Sequence, residues 1–220
     1  MTDQILRIEV YSDVICPWCY VGKRRLERAL KEWGDDSPVD VKWKPFQLNP
    51  TMPKDGMDRT IYLQTKFGSL DRFREMEQRL LEAGNHEGIP FAFEKIARTP
   101  NTLLPHRLIW YSGTQGHQDA VVEQLFKGYF EEGLDIGSLS TLVELADRAG
   151  VRAKEFLTSE AGAAEVKAEE SIGHRLGIRG VPYFVLGGTD GISGAQPPEI
   201  FLSAFQRGKA DRAEGTPHRR

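Results

Sequence analysis

Of the 220 residues only two are cysteines, and both fall in the run Cys16-Pro17-Trp18-Cys19. Two thiols at this spacing on a helix can close a disulfide within one turn and open it again. The attacking species in such exchange is the thiolate, so one of the pair needs surroundings that favour an anion. Pro17 suits the first position of a helix, which makes Cys16 the expected N-cap. Its sulfur would face the unpaired backbone amides at the positive helix end. Cys19 then lies one turn inside and deeper. The spacing assigns attack on a disulfide to Cys16 and resolution of the mixed disulfide to Cys19. No bound cofactor is called for, because the Cys16–Cys19 disulfide is itself the redox group.

Two other chemistries use a similar cysteine arrangement. Half of a zinc site has this spacing, but zinc takes four ligands, or three where it is catalytic. The remaining candidates are His86, His106, His117, His174 and His218, none paired at short spacing, so no metal is expected. A papain-like protease places a reactive cysteine before an aromatic residue, which Cys19-Tyr20 superficially matches, with His174 downstream. Pro17-Trp18 replaces the small residues of that signature, however, and Asp13 stands where such an enzyme needs a glutamine for the oxyanion. Asp13 itself, three residues before Cys16, has two open readings: a proton acceptor, or a short acidic side chain satisfying a loop.

The flanking elements must place the pair. Leu6, Ile8 and Val10 alternate with Arg7 and Glu9 in the period of a strand, as do Val39, Val41 and Trp43 with Asp40, Lys42 and Lys44. Between them Trp18, Leu26, Ala29, Leu30 and Trp33 recur at helical spacing over about residues 17–33, with Gly34 as the stop. The first strand would run from an exposed start at Arg7 and Glu9 into the junction that carries the cysteines. Pro50, Pro53 and Gly56 then mark a linker.

Residues 57–158 read as helical. Leu70, Phe73, Met76 and Leu80 share one face, while Leu103, Ile109 and Trp110 mark a second helix. Val121, Leu125 and Phe130 mark a third, and Leu139, Leu142, Val143 and Ala146 a fourth that ends at Gly150. The one strand-like stretch in this block is Ile89-Pro90-Phe91-Ala92-Phe93. Later, Ala161, Ala164, Ala168, Ile172 and Leu176 trace a helix stripe. Pro182–Leu186 and Ile192–Gly194 read as strands, and Pro197-Pro198 opens a last helix with Ile200, Phe201, Ala204 and Phe205 inward. From Gly208 the chain turns polar, as a frayed tail would.

The predicted class is α/β: a β-α-β … α-β-β-α unit interrupted by a large all-helical insertion. The boundaries fall at 1–50 and 159–210 for the discontinuous unit, 51–158 for the insertion and 211–220 for a flexible tail. A net charge of −3 gives no global field toward nucleic acid or an anionic membrane. No apolar run approaches the roughly 20 residues of a membrane span, and Met1-Thr2-Asp3-Gln4 lacks the pattern of a secretory leader. The expected compartment is the cytoplasm, where a permanent structural disulfide is disfavoured and a catalytic one is not.

Ser12-Asp13-Val14-Ile15-Cys16-Pro17-Trp18-Cys19-Tyr20-Val21-Gly22 and Gly180-Val181-Pro182-Tyr183-Phe184 together resemble the DsbA family of thioredoxin-fold proteins. Asn101-Thr102, His106-Arg107-Leu108 and Ser193-Gly194-Ala195-Gln196-Pro197 are similar to its FrnE-like cytosolic branch, so the resemblance covers nearly the whole chain. It implies a thioredoxin-like domain split by helices and a protein dithiol–disulfide oxidoreductase or isomerase. Pro182 is implied to be a cis proline facing the cysteines. Val181 would offer its backbone to the substrate chain, with Pro17 and Trp18 beside it. Asn101 and His106 would either line the cleft or serve as a helix-start hydrogen bond or a surface position. Implied partners are protein or small-molecule thiols and disulfides, with the thioredoxin or glutathione system supplying electrons to a monomer or homodimer. Kappa-class glutathione transferases and hydroxychromene-carboxylate isomerases are similar in architecture and give the alternative, a glutathione-dependent transferase or isomerase. They carry serine where Cys16 stands.

Overall fold

The strand that delivers the cysteines, β1 (Leu6–Ser12), is flanked on both sides. It pairs in parallel with β2 (Val39–Pro45), with Leu6 opposite Val39 and Ser12 opposite Pro45. On its other side it runs antiparallel to β5 (Tyr183–Leu186), with Ile8 opposite Leu186 and Tyr11 opposite Tyr183. The edge strand β6 (Asp190–Ser193) completes the order β2-β1-β5-β6. The computed structural model describes residues 5–34 and 38–213.

The period-two pattern of β1 sorts its side chains onto two cores. Leu6, Ile8 and Val10 join Phe184 and Leu186 beneath α1 (Pro17–Trp33) and α9 (Pro198–Ala213), where Phe201, Ala204 and Phe205 are buried. Tyr11 and Val185 meet Phe46 and Ile178 on the opposite face, under α8 (Ala163–Arg175). Arg7 is exposed and Glu9 half-buried, so the charged positions lie at the start of the strand as expected. Each large apolar side chain fully buried in these layers contributes about 1.5–3 kcal/mol.

Between β2 and α8 the chain builds a largely helical block: α2 (Arg59–Phe67), α3 (Leu70–His86), α4 (Leu103–Gly113), α5 (Gln118–Phe130), α6 (Leu139–Arg148) and α7 (Lys154–Thr158). It shares a continuous core with the sheet, because α1 packs both ways. Tyr20 of α1 stacks on Phe126 of α5 with ring centroids 5.0 Å apart, and its hydroxyl donates to Glu131 at 2.6 Å. One turn on, Lys23 is buried, and its ammonium meets Glu27, Asp119 and Glu123. Arg24 adds hydrogen bonds to Glu27 and Glu123. Gln118 closes the free edge of β2, accepting from Trp43 N–H at 2.8 Å and donating to Trp43 C=O at 3.2 Å. That edge offers no open pairing site at Trp43.

Several expectations need correction. Ile89–Phe93 is not a strand. Phe91 and Phe93 stack on each other at 4.8 Å, and Phe93–Lys95 forms one 3₁₀ turn. The block is not all-helical either, since β3 (Met57–Asp58) pairs antiparallel with β4 (Arg98–Thr99). On α8 the alanine stripe with Ile172 and Leu176 faces solvent, and the buried positions are Val166, Glu170 and Gly173. Gly173 decides that face, because a Cβ there would come within 2.7 Å of the Tyr11 ring. Ile200 is exposed at the start of α9. The same helix continues to Ala213, through residues expected to fray, and 214–220 lie outside the described residues.

Candidate active site

β1 ends at Ser12, and a tight turn brings the chain into α1, with Cys16 N–H donating to the Asp13 carbonyl at 3.0 Å. Cys16 takes the N-cap position with extended backbone (φ −94°, ψ 110°), and Pro17 follows inside the helix. One expectation fails in detail: the Cys16 sulfur makes no capping bond to the helix amides. Its thiol donates to the Val181 carbonyl at 3.6 Å, across the cleft between α1 and the loop before β5. The helix dipole still favours an anion at this end. Both cysteines are free thiols, Cys16 with 6% of its surface exposed and Cys19 with 1%.

Val181 and Pro182 form the facing wall, and the peptide bond between them is cis. The Pro182 carbonyl accepts from Gly194 N–H at 2.8 Å, which extends the β5–β6 ladder to this residue. Arg25 of α1 donates to the Ala195 carbonyl next door while its Nε–H meets Glu87 at 2.9 Å. The wall approaches α1 closely. A Cβ on Gly22 would lie 3.0 Å from Pro182 Cγ and 3.2 Å from Phe184 Cζ, so only glycine lets the helix sit there without a shift. Pro17, Trp18 and Val181 are half-buried, and Pro182 is buried.

Cys19 N–H donates to the Cys16 carbonyl at 3.0 Å, as one helical turn requires. Burial pushes the Cys19 thiol well up, and the hydrogen bond and charge of Cys16 add to it. The Ser12 hydroxyl and the Asp13 N–H act in the opposite direction. Cys19 is therefore held as a thiol.

Asp13 is fully buried. Its Oδ2 accepts from Leu48 N–H at 2.8 Å, and its Oδ1 lies 3.3 Å from His106 Nε2 of α4. The structure thus brings Asp13 and His106 together under the cysteine turn. Asn101 goes elsewhere: its Oδ1 accepts from Leu103 N–H at 2.9 Å and its Nδ2 donates to the Met52 carbonyl at 2.7 Å, tying down the start of α4. It lines a separate cleft of about 870 Å³, with Arg98, Arg107 and Ser138, to which neither cysteine contributes. Ser12, Gly22 and Gly194 also build the site. All three lie within the runs that carry the family resemblance, and Gly22 also stands one turn beyond Cys19 on the same helix face.

The family described as DSBA-like thioredoxin domain matches residues 7–206. The probable DsbA oxidoreductase SCO1869 from Streptomyces coelicolor is 34% identical, with a TM-score of 0.87 over 98% of this chain and 93% of its own. The uncharacterized protein YwbO of Bacillus subtilis (strain 168) is 27% identical over 91% of this chain and 96% of its own. The cytosolic disulfide reductase DsbM from Pseudomonas aeruginosa, also solved with glutathione, shares the fold at 18% identity. Its TM-score is 0.65 over 91% of this chain and 98% of its own. A dithiol at the head of α1, a facing Val181–Pro182 segment and a family match over almost the whole sheet and helical block agree: the chain is a member of the DSBA-like thioredoxin domain family.

Proposed function

We propose that this protein is a cytoplasmic dithiol–disulfide oxidoreductase or isomerase of FrnE-like type, acting on protein or small-molecule disulfides. The observation that carries the proposal is the Cys16 thiol, 3.6 Å from the Val181 carbonyl, with Cys19 buried one turn behind it. In the reducing direction the Cys16 thiolate attacks one sulfur of a substrate disulfide. A Cys16–substrate S–S bond forms, and the other substrate sulfur leaves with the electron pair and takes a proton. Cys19 then attacks Cys16. The Cys16–Cys19 bond forms, and the second substrate sulfur leaves as a thiol carrying the Cys19 proton. Val181 presents its backbone to the substrate chain beside the sulfur, with Pro17, Trp18 and Pro182 as the rim.

Electrons would come from a thiol partner such as the thioredoxin or glutathione system, and the glutathione complex of DsbM supports the second source. No helix among the described residues is long and apolar enough to cross a membrane. Turnover of a disulfide-linked fluorescent peptide with glutathione as reductant tests the proposal. Cys16→Ser should abolish it, and a Cys16→Ser protein that retains the native rate contradicts the assignment. Glutathione-dependent turnover of an aromatic substrate that survives Cys19→Ser would favour the transferase or isomerase reading.

A further inference from the structure

The exchange steps use Cys16, Cys19 and the Val181–Pro182 wall, and leave the cleft of about 870 Å³ beside α4 without a role. Its volume falls within the range of sites that hold small organic molecules. Arg107 and Leu157 are the buried members of its lining and form its floor. Leu103, Leu104 and Leu139 add apolar surface above them. Arg107 is 5% exposed, and it forms no ion pair with a carboxylate among the described residues. Its Nε and Nη2 donate to the carbonyls of Ala161 at 2.8 Å, Ser159 at 2.6 Å and Phe156 at 3.3 Å, just past α7 and on its last turn. Those bonds hold the guanidinium in place but leave its charge without a counter-ion, which a buried charge ordinarily has. Nη1 has no acceptor among the described residues, and it is not one of the atoms sealed from solvent. The opening in front of it is the cleft.

Two helices begin at the same cleft. Ser138, at the N-cap of α6, makes no capping bond to that helix; its Oγ lies 2.9 Å from Ser140 Oγ instead. The amides of Leu139 and Ser140 have no partner among the described residues. At the start of α4, Asn101 takes Leu103 N–H and leaves Leu104 N–H free. Free first-turn amides at the positive end of a helix favour an anion such as a carboxylate. The rim limits which anion fits. There Lys54 and Arg98 are balanced by Asp55, Asp135 and Glu160. A ligand with one negative charge at the floor and an uncharged body avoids those acids, whereas a phosphate dianion or a polyacid is repelled by them.

We infer that this cleft is a second binding site, for a small organic monocarboxylate with an apolar body. Arg107 Nη1 and the free amides at the start of α6 take the carboxylate. The body lies over Leu103, Leu104 and Leu157. No bond is made or broken there, and the site needs neither thiol. Two adjacent residues of α4 thus serve different places, His106 facing Asp13 under the cysteine turn and Arg107 facing the cleft.

The test titrates octanoate into the native protein, read by calorimetry and by backbone amide resonances. Octanoate should bind with a Kd on the order of 1 mM or tighter, and the largest shifts should fall at Leu104, Ser138 and Leu139. Octanol has the same body without the charge and should bind at least about tenfold more weakly. Acetate has the charge without the body and should also lose at least about tenfold. Leu139 is 38% exposed, so Leu139→Glu should fold normally. It sets a like charge against the carboxylate and should weaken octanoate about tenfold. Arg107→Gln should weaken it at least as much; if that variant does not fold, Leu139→Glu and the octanol comparison decide. Equal binding of octanoate and octanol, shifts confined to other parts of the surface, or native affinity in Leu139→Glu overturns the inference. Cys16→Ser should bind octanoate as the native protein does, whatever becomes of disulfide exchange. Loss of binding in that variant would put the ligand at the thiols and overturn the inference as well.

Discussion

A methyl group at Gly22 would stand 3.0 Å from Pro182 Cγ and 3.2 Å from Phe184 Cζ. Carbon atoms in comfortable contact sit about 3.5–4.0 Å apart, so Gly22→Ala must move the Pro182 wall or α1 by several tenths of an ångström. Two opposing effects set the stability. Alanine in place of glycine inside a helix gains up to about 1 kcal/mol, and overpacking of this kind costs about 1–3 kcal/mol. The net expectation is a loss of about 0–2 kcal/mol, a fall in Tm of at most about 8 °C for a chain of this length. Activity should suffer more than stability. A misplacement near 1 Å costs about 100-fold in a positioned reaction, and displacing Val181 from Cys16 by roughly half that distance should slow exchange severalfold. Urea unfolding and disulfide-substrate turnover, run on the same preparation, separate the two effects. A variant stabilised by the full ~1 kcal/mol with an unchanged exchange rate would show that the wall does not bear on α1.

Three further outcomes follow from other contacts. Burial pushes the Glu123 carboxyl up, but the Arg24 hydrogen bond and the Lys23 charge outweigh it and hold it at about 2, below the ordinary 4.5. A lowered carboxyl stabilises the fold above its ordinary range and loses that contribution as pH falls toward 2. Acid unfolding should therefore be shallower between pH 4.5 and 2 in Glu123→Gln, and an identical profile would argue against the α1–α5 ion cluster. Asn101→Ala removes the helix-start contacts and should cost about 0.5–2 kcal/mol in denaturant while leaving disulfide exchange unchanged; a slowed exchange at full stability would return Asn101 to the site. Gly173→Ala forces a Cβ to 2.7 Å from the Tyr11 ring and should destabilise by about 1–3 kcal/mol, read from the urea midpoint.

The parts of the fold legible in sequence were those where period and punctuation coincide. Leu6, Ile8 and Val10 mark the inward face of β1, while Pro17 and Gly34 bracket α1, and each signal acts within a few residues. Helical spacing alone selects the wrong face of α8, because alanine counts as apolar at any exposure and Ala161, Ala164 and Ala168 are exposed. The buried face is chosen by Gly173, which admits the Tyr11 ring, and by Glu170, whose carboxylate accepts from Gln47 N–H. A buried glutamate is invisible to hydrophobic periodicity. Within the site, Cys16 and Cys19 declared themselves by spacing. The meeting of Asp13 with His106 did not, because it depends on how α4 packs beneath the cysteine turn. The sulfur of Cys16 also turned to a partner that local sequence could not supply, the Val181 carbonyl.

The division of labour between the two thiols is tested most directly by trapping the intermediate. Cys19→Ser protein mixed with a disulfide-linked peptide should accumulate a mixed disulfide, seen by intact mass as one peptide adduct and mapped to Cys16. Cys16→Ser should form none, because Cys19 is 1% exposed and held as a thiol. An adduct on Cys19 at a comparable rate, or no adduct on Cys16, would contradict the account.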